Sequence, residues 1–183
     1  MKDSDQLLKI YREYYEAEFP FIIIPPGITS KELKAQKPWL EKTINMVASH
    51  ENRFRQLELA KDIIMEITAA LFMRSERNLD ILEALIVYNV WFVNVQKVPS
   101  SLPLTPYRQF YYASTNPQYQ STLVVQLALA VLFDLGLNRP LHDDEERDML
   151  VDTFRLPTEN AKELRRSSEE RRAFLSCFII TSS

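Results

Sequence analysis

The stretch STLVVQLALAVLFDLGLNRP, Ser121 to Pro140, sets the strongest limit on what this chain can fold into. Between Leu123 and Phe133 only Gln126 is polar, so a helix drawn through it is apolar on nearly every face. Such a helix is expected to be covered on all sides. Ser121 and Thr122 are suitable N-caps, because their hydroxyls can accept from the unpaired amides of a first turn. Gly136 stands where a chain leaving a helix turns left-handed, and Pro140 lies just beyond, unable to continue it. The apolar run is roughly a dozen residues against the ~20 that a bilayer crossing needs, which makes it core and not membrane.

A second stretch, LDILEALIVYNVWFV after Asn78, is again apolar on most faces, with Glu83 and Asn89 as interior exceptions. It predicts a buried central helix pair at about 78–95 and 122–135. Only Gly27 and Gly136 occur in 183 residues. So few glycines argue against phosphate-cradling loops and against a fold of many tight β-turns. The fold expected is all-α, an irregular helical domain over 1–183 that stops before its C-terminal end is complete.

The remaining elements follow from spacing and caps. Leu7, Leu8, Tyr11, Tyr14 and Tyr15 fall at helical intervals in an amphipathic first helix. FPFIIIPPG, bounded by Pro20 and Pro25-Pro26, is an extended apolar connector, with a short strand as the other reading. Thr29 and Glu32 form a capping box, so a helix starts near Ser30, and Pro38 suits the first turn of the next one. From Asn52 a long helix places Leu57, Ala60, Ile64, Ile67 and Leu71 on one stripe and ends near Arg74. Residues 96–120 hold Pro99, Pro103, Pro106 and Pro117 with four tyrosines, which predicts a loop with a short helical turn near Arg108–Tyr112. Residues 141–166 are a charged linker, and from His142 to Phe154 it sets Asp143, Asp144, Glu145, Glu146, Asp148 and Asp152 against one cation, Arg147. Ser167 and Glu170 offer a further capping box before a last helix that runs to Ser183 without a closing cap.

Charge and composition exclude several functions. A net charge of −3 gives no basic footprint for nucleic-acid backbones. The single cysteine, Cys177, rules out an internal disulfide framework and a cysteine-rich zinc site, and suits an intracellular, reducing setting. No catalytic constellation emerges, so the chain reads as a non-enzyme. His50-Glu51 lacks a second histidine one turn further on and is a surface residue. His142 with Asp143 and Asp144 reads as a solvated acidic face. Cys177, among Phe174, Phe178 and Ile179, is a small core hydrophobe, and Trp39 and Trp91 are core aromatics. Arg165-Arg166-Ser167-Ser168 matches a short basophilic kinase pattern, which arises often by chance.

Three blocks, NLDILEALIVYNVWF, LVVQLALAVLFDLGLNRP and SSEERRAFLSCFIITSS, resemble in this order the regulatory, or middle homology, region of fungal Zn(II)2Cys6 binuclear-cluster transcription factors. The opening FPFIIIPPGITSKELKAQKPWLEKTINMVAS is similar to the start of that region. The matched motif positions are Asp80, Trp91, Asp134, Gly136, Arg139, Pro140, Glu170, Arg171, Arg172 and Cys177. The resemblance implies an all-α regulatory domain of a nuclear, DNA-binding regulator of RNA polymerase II transcription. DNA is reached only through a separate N-terminal module whose six cysteines hold zinc; this chain itself holds no cofactor and no membrane segment. It further implies a homo- or heterodimer and a small-molecule effector. The chain departs from the family in having one cysteine, in Ser176 where glycine is frequent, and in stopping where the family's domain continues. The other reading is a stand-alone helical interaction or ligand-sensing module that pairs with a full-length relative. Asp134 in an apolar helix and Arg171 and Arg172 in another suggest an interhelical ion pair.

Overall fold

The computed structural model describes residues 3–91, 119–139 and 166–182. Among them it holds seven α-helices and no strand: α1 (Ser4–Tyr14), α2 (Ser30–Gln36), α3 (Pro38–Ala48), α4 (Arg53–Met73), α5 (Leu79–Trp91), α6 (Tyr119–Asp134) and α7 (Ser168–Ser182). The all-α expectation holds. The 96–118 part of the Pro/Tyr-rich loop, Pro140 and the charged linker up to Arg165 lie outside the described residues.

Helix α5 is the centre. Every residue from Asp80 to Trp91 is buried. It packs on α3, α6 and α7, while α3 also carries α1, α2 and α4. Each aliphatic side chain taken fully out of water here contributes roughly 1.5–3 kcal/mol, which is why a helix apolar on all faces ends in the middle. Asn78 caps it, its side chain accepting the Ile81 amide at 2.8 Å.

The expectation that the 123–133 stretch is covered on all sides is corrected. In α6 Val124, Ala128, Val131 and Leu132 are buried, whereas Leu123 is 68% and Phe133 53% exposed. The buried set falls at i, i+4, i+7 and i+8, one stripe facing α5 and α7. The helix also begins by Tyr119, before the Ser121 and Thr122 proposed as caps. Its C-terminus is as expected. Gly136 has φ +67°, and the Leu137 amide bonds the Leu132 carbonyl at 3.1 Å, a Schellman closure that a left-handed residue makes possible.

Capping boxes at Asp3/Gln6, Thr29/Glu32 and Ser167/Glu170 start α1, α2 and α7. Pro38 occupies the first turn of α3. The 19–24 run is a non-helical connector that buries Phe19, Ile22 and Ile24 on the core, with no strand. The register of α4 differs from the predicted one: the buried stripe is Gln56, Ala60, Ile63, Ile67, Ala70 and Leu71, and Leu57 is exposed. The cause is Gln56, whose amide donates to the carbonyls of Met46 and Val47 at the end of α3 and so is admitted to the core. Ser75, at φ 54°, lets the Glu76 amide reach the Ala70 carbonyl and closes α4. Tyr14, placed on the core face by spacing, is the last residue of α1 and is 48% exposed, while Tyr15 after it is buried.

Candidate functional site

The polar groups of this apolar bundle gather where α2, α3, α5 and α7 meet. Lys37 sits at the seam between α2 and α3, which one residue joins. Its ammonium donates to the Glu83 carboxylate of α5 at 2.6 Å and to the Glu169 carboxylate in the first turn of α7. Glu83 is buried. Burial raises its pKa to about 7, against the pull of Lys37. Burial also works to lower the Lys37 pKa, but the two carboxylates outweigh it and hold the ammonium above its ordinary value. One cation thus bridges the centre of the core to its last helix.

Asp80 lies one turn before Glu83 on α5. Its two oxygens accept the amides of Trp39 and Leu40 at 3.0 and 2.8 Å, so it serves as the N-terminal cap that Lys37 does not supply for α3. Burial raises its pKa, opposed by those amides and by Lys37. Nearby, Glu41 accepts from Ser30 at 2.7 Å and from Asn45 at 2.6 Å, while Asp5 accepts the Ser30 amide at 2.6 Å. These bonds lock α1, α2 and α3 to one another.

At the far end of α5, Trp91 meets Tyr15 edge-on at 5.0 Å, and Tyr15 stacks on Tyr11 at 5.9 Å. The Tyr15 hydroxyl is 3.0 Å from His50 Nδ1, so His50 is tied to the core and not the surface residue its sequence context suggested. Tyr11 Oη and Trp91 Nε1 are close enough to interact electrostatically, but neither has a well-formed hydrogen bond. Burial, with Glu16 and Glu83 nearby, keeps the Tyr11 phenol firmly protonated.

The family-motif positions divide between these sites and the α6–α7 junction. Asp134 pairs with Arg77 at 2.6 Å, on the surface. The interhelical pair with Arg171 or Arg172 is therefore corrected: Asp134 points to the α4–α5 connection, Arg171 is exposed, and the buried Nε of Arg172 has no hydrogen-bond partner. Arg166 joins the two ends instead, donating to the Gly136 carbonyl at 2.6 Å and to the Arg139 carbonyl. Glu170 accepts the Ser167 amide at 2.8 Å. Cys177 is buried against the core, and burial pushes its thiol up to about 12, so it stays protonated. Ser176 is buried with its hydroxyl donating to the Ala173 carbonyl at 2.8 Å. Pro140 lies outside the described residues.

Sequence reasoning missed Lys37, Glu169, Arg77 and Arg166. The available signals were the acids at positions 83 and 134 in apolar runs, each of which calls for a cation without saying which. What the arrangement can do is hold helices in register; it places no nucleophile beside an activating base. Among the described residues no group of three or more histidine, cysteine or acidic side chains could hold a metal ion, and no helix is long and apolar enough to cross a membrane.

Compared with known proteins, the chain is 30% identical over 184 aligned residues to a Penicillium oxalicum (strain 114-2 / CGMCC 5302) protein named "Transcription factor opdL". The alignment takes in 98% of this chain and 29% of that protein. Over 90 residues it is 32% identical to a protein of Aspergillus terreus (strain NIH 2624 / FGSC A1156) named "Transcription factor", covering 48% of this chain and 15% of the relative. The chain spans less than a third of the length of the curated relatives it matches, and its homologues are fungal transcription factors. No family model and no solved structure matches it.

Proposed function

We propose that this chain is the regulatory, or middle homology, domain of a fungal zinc binuclear-cluster transcription factor, acting in the nucleus on RNA polymerase II transcription. The observation that carries the reading is the similarity across 98% of the chain to a named transcription factor of which it covers only 29%. The chain corresponds to one region of a larger regulator. DNA is contacted by a cysteine cluster elsewhere, because one cysteine and a net charge of −3 supply neither zinc ligands nor a phosphate-binding surface. The role is non-enzymatic. The bundle carries a signal by how α7 sits on α5, and the Lys37 bridge to Glu83 and Glu169 sets that position.

Tethering tests this. Residues 1–183 are fused to a heterologous DNA-binding module at a reporter promoter in a fungal host, and transcript levels are read. A reproducible rise or fall, altered by Lys37→Met, is expected. A folded, nuclear fusion that leaves the reporter at the level of the DNA-binding module alone contradicts the reading. The other reading, a helical module that pairs with a full-length relative, is favoured by the apolar side chains left exposed on α4.

A further inference from the structure

Helix α7 rests on the core by its smallest side chains. Ala173, Ser176 and Cys177 are buried where it packs on α5 and α6, whereas Phe174, Leu175, Phe178 and Ile179 are between 36% and 65% exposed. Hydrophobic stabilisation scales with the apolar area removed from water, so this seat is light for a helix of 15 residues. Elements with few buried apolar contacts are the first to open. The polar grip on the first turn of α7 therefore counts for more, and that grip is Lys37 on the Glu169 carboxylate.

Lys37 is shared. Its ammonium also takes Glu83, whose side chain is 3% accessible, and it acts on Asp80 one turn earlier in α5. Three carboxylates thus face one cation, and such a site resists having all three ionised. Asp80 is held by two backbone amides and the Glu169 side chain is 38% accessible, which leaves the buried Glu83 as the group that takes a proton. The other charges around α5 are engaged elsewhere: Glu41 with Ser30 and Asn45, Lys42 with Glu66, Asp134 with Arg77, Glu16 with the Ile24 amide and Glu170 with the Ser167 amide. Arg171 is exposed, and the buried Nε of Arg172 makes no hydrogen bond. From α1 the facing group is the Tyr11 phenol, which stays protonated.

We propose that α7 is a proton-operated latch: its seat on α5 keeps a proton on the Glu83 carboxyl, and loss of that proton to solvent releases the helix. The direction follows from what release changes. When α7 lifts, Glu169 leaves with it, Glu83 opens to water and keeps Lys37 to itself, so its carboxyl falls back from about 7 towards the ordinary 4.5. The lifted state then binds fewer protons. Docking is complete below the lower value and weakens as pH rises through about 7. The inference deepens the proposed reading, in which the seat of α7 carries the signal, and rests on that reading for the use made of the latch.

Amide hydrogen exchange of the 183-residue chain, followed by mass spectrometry and expressed at each pH as protection relative to an unstructured chain, tests it. Peptides of α7 should be less protected than those of α3 and α5 throughout. Their protection should fall at least about tenfold between about pH 5 and about pH 8, by no more than about tenfold per pH unit. Glu83→Gln, a neutral stand-in for the protonated carboxyl, should keep α7 protection high and flat. Glu169→Gln removes the like charge beside Glu83 from a partly exposed position and should move the fall to lower pH. Protection of α7 equal to that of α5, protection that does not change with pH, or a fall that survives Glu83→Gln overturns the proposal. Exchange is read without transcription, so a silent reporter in the tethering experiment counts against the regulatory reading alone, and flat exchange counts against the latch alone.

Discussion

The Lys37 ammonium lies 2.6 Å from the buried Glu83 carboxylate, and the two residues are 46 positions apart in the chain. This contact joins the α2–α3 seam to the central helix and, through Glu169, to α7.

Removing the cation should destabilise the fold. Lys37→Met leaves Glu83 buried without its partner, a change that costs about 3–5 kcal/mol when the orphaned charge cannot escape. Glu83 can escape by taking up a proton, so a loss of about 2 kcal/mol at neutral pH is expected, growing at higher pH. Adding Glu83→Gln to Lys37→Met should recover most of it. Urea denaturation of the two variants checks this.

The pH dependence has a fixed sign. Burial lifts the Glu83 carboxyl from 4.5 to about 7, so between those values the folded chain keeps a proton that the unfolded chain has lost. Its contribution is full below about pH 4.5 and disappears as pH rises through about 7. Asp80, also raised, adds a slope of the same sign. Unfolding free energy should therefore fall by up to about 3 kcal/mol across this window on account of Glu83, and Glu83→Gln should flatten the profile. Denaturant midpoints measured from about pH 5 to about pH 8 decide it.

Asp134→Asn should barely matter. Asp134 and Arg77 are both partly exposed, with side chains 51% and 35% accessible. Exposed pairs are worth ~0–1 kcal/mol, against the larger cost of the buried pair suggested by the sequence. The melting temperature should move by no more than a few degrees.

How far the fold was legible depends on how local its causes are. Helices α2, α3 and α5 could be read because Thr29, Pro38 and Asn78 announce their starts within a few residues. The burial of α6 was overread: apolar composition says that a helix can be enclosed, while only the neighbours decide which faces are. The α4 register turned on Gln56, whose place in the core depends on two carbonyls of α3. The charged junction was illegible for the same reason. Glu169 lies 132 residues from Lys37, and no periodicity links positions so far apart.

Cys177 should be slow to alkylate. Its thiol is buried and raised to about 12, so the reactive thiolate is scarce at neutral pH. Iodoacetamide labelling followed by mass spectrometry should show little modification of the folded chain and rapid modification in denaturant. Fast labelling of the native chain would mean that α7 lifts from the core.

The most direct test of the regulatory-domain account is to sequence the native transcript from its capped end to its tail. The account predicts an open reading frame with six suitably spaced cysteines ahead of Met1 and further coding sequence after Ser183. A transcript that begins its reading frame at Met1 and ends it after Ser183, with no cysteine cluster, contradicts it.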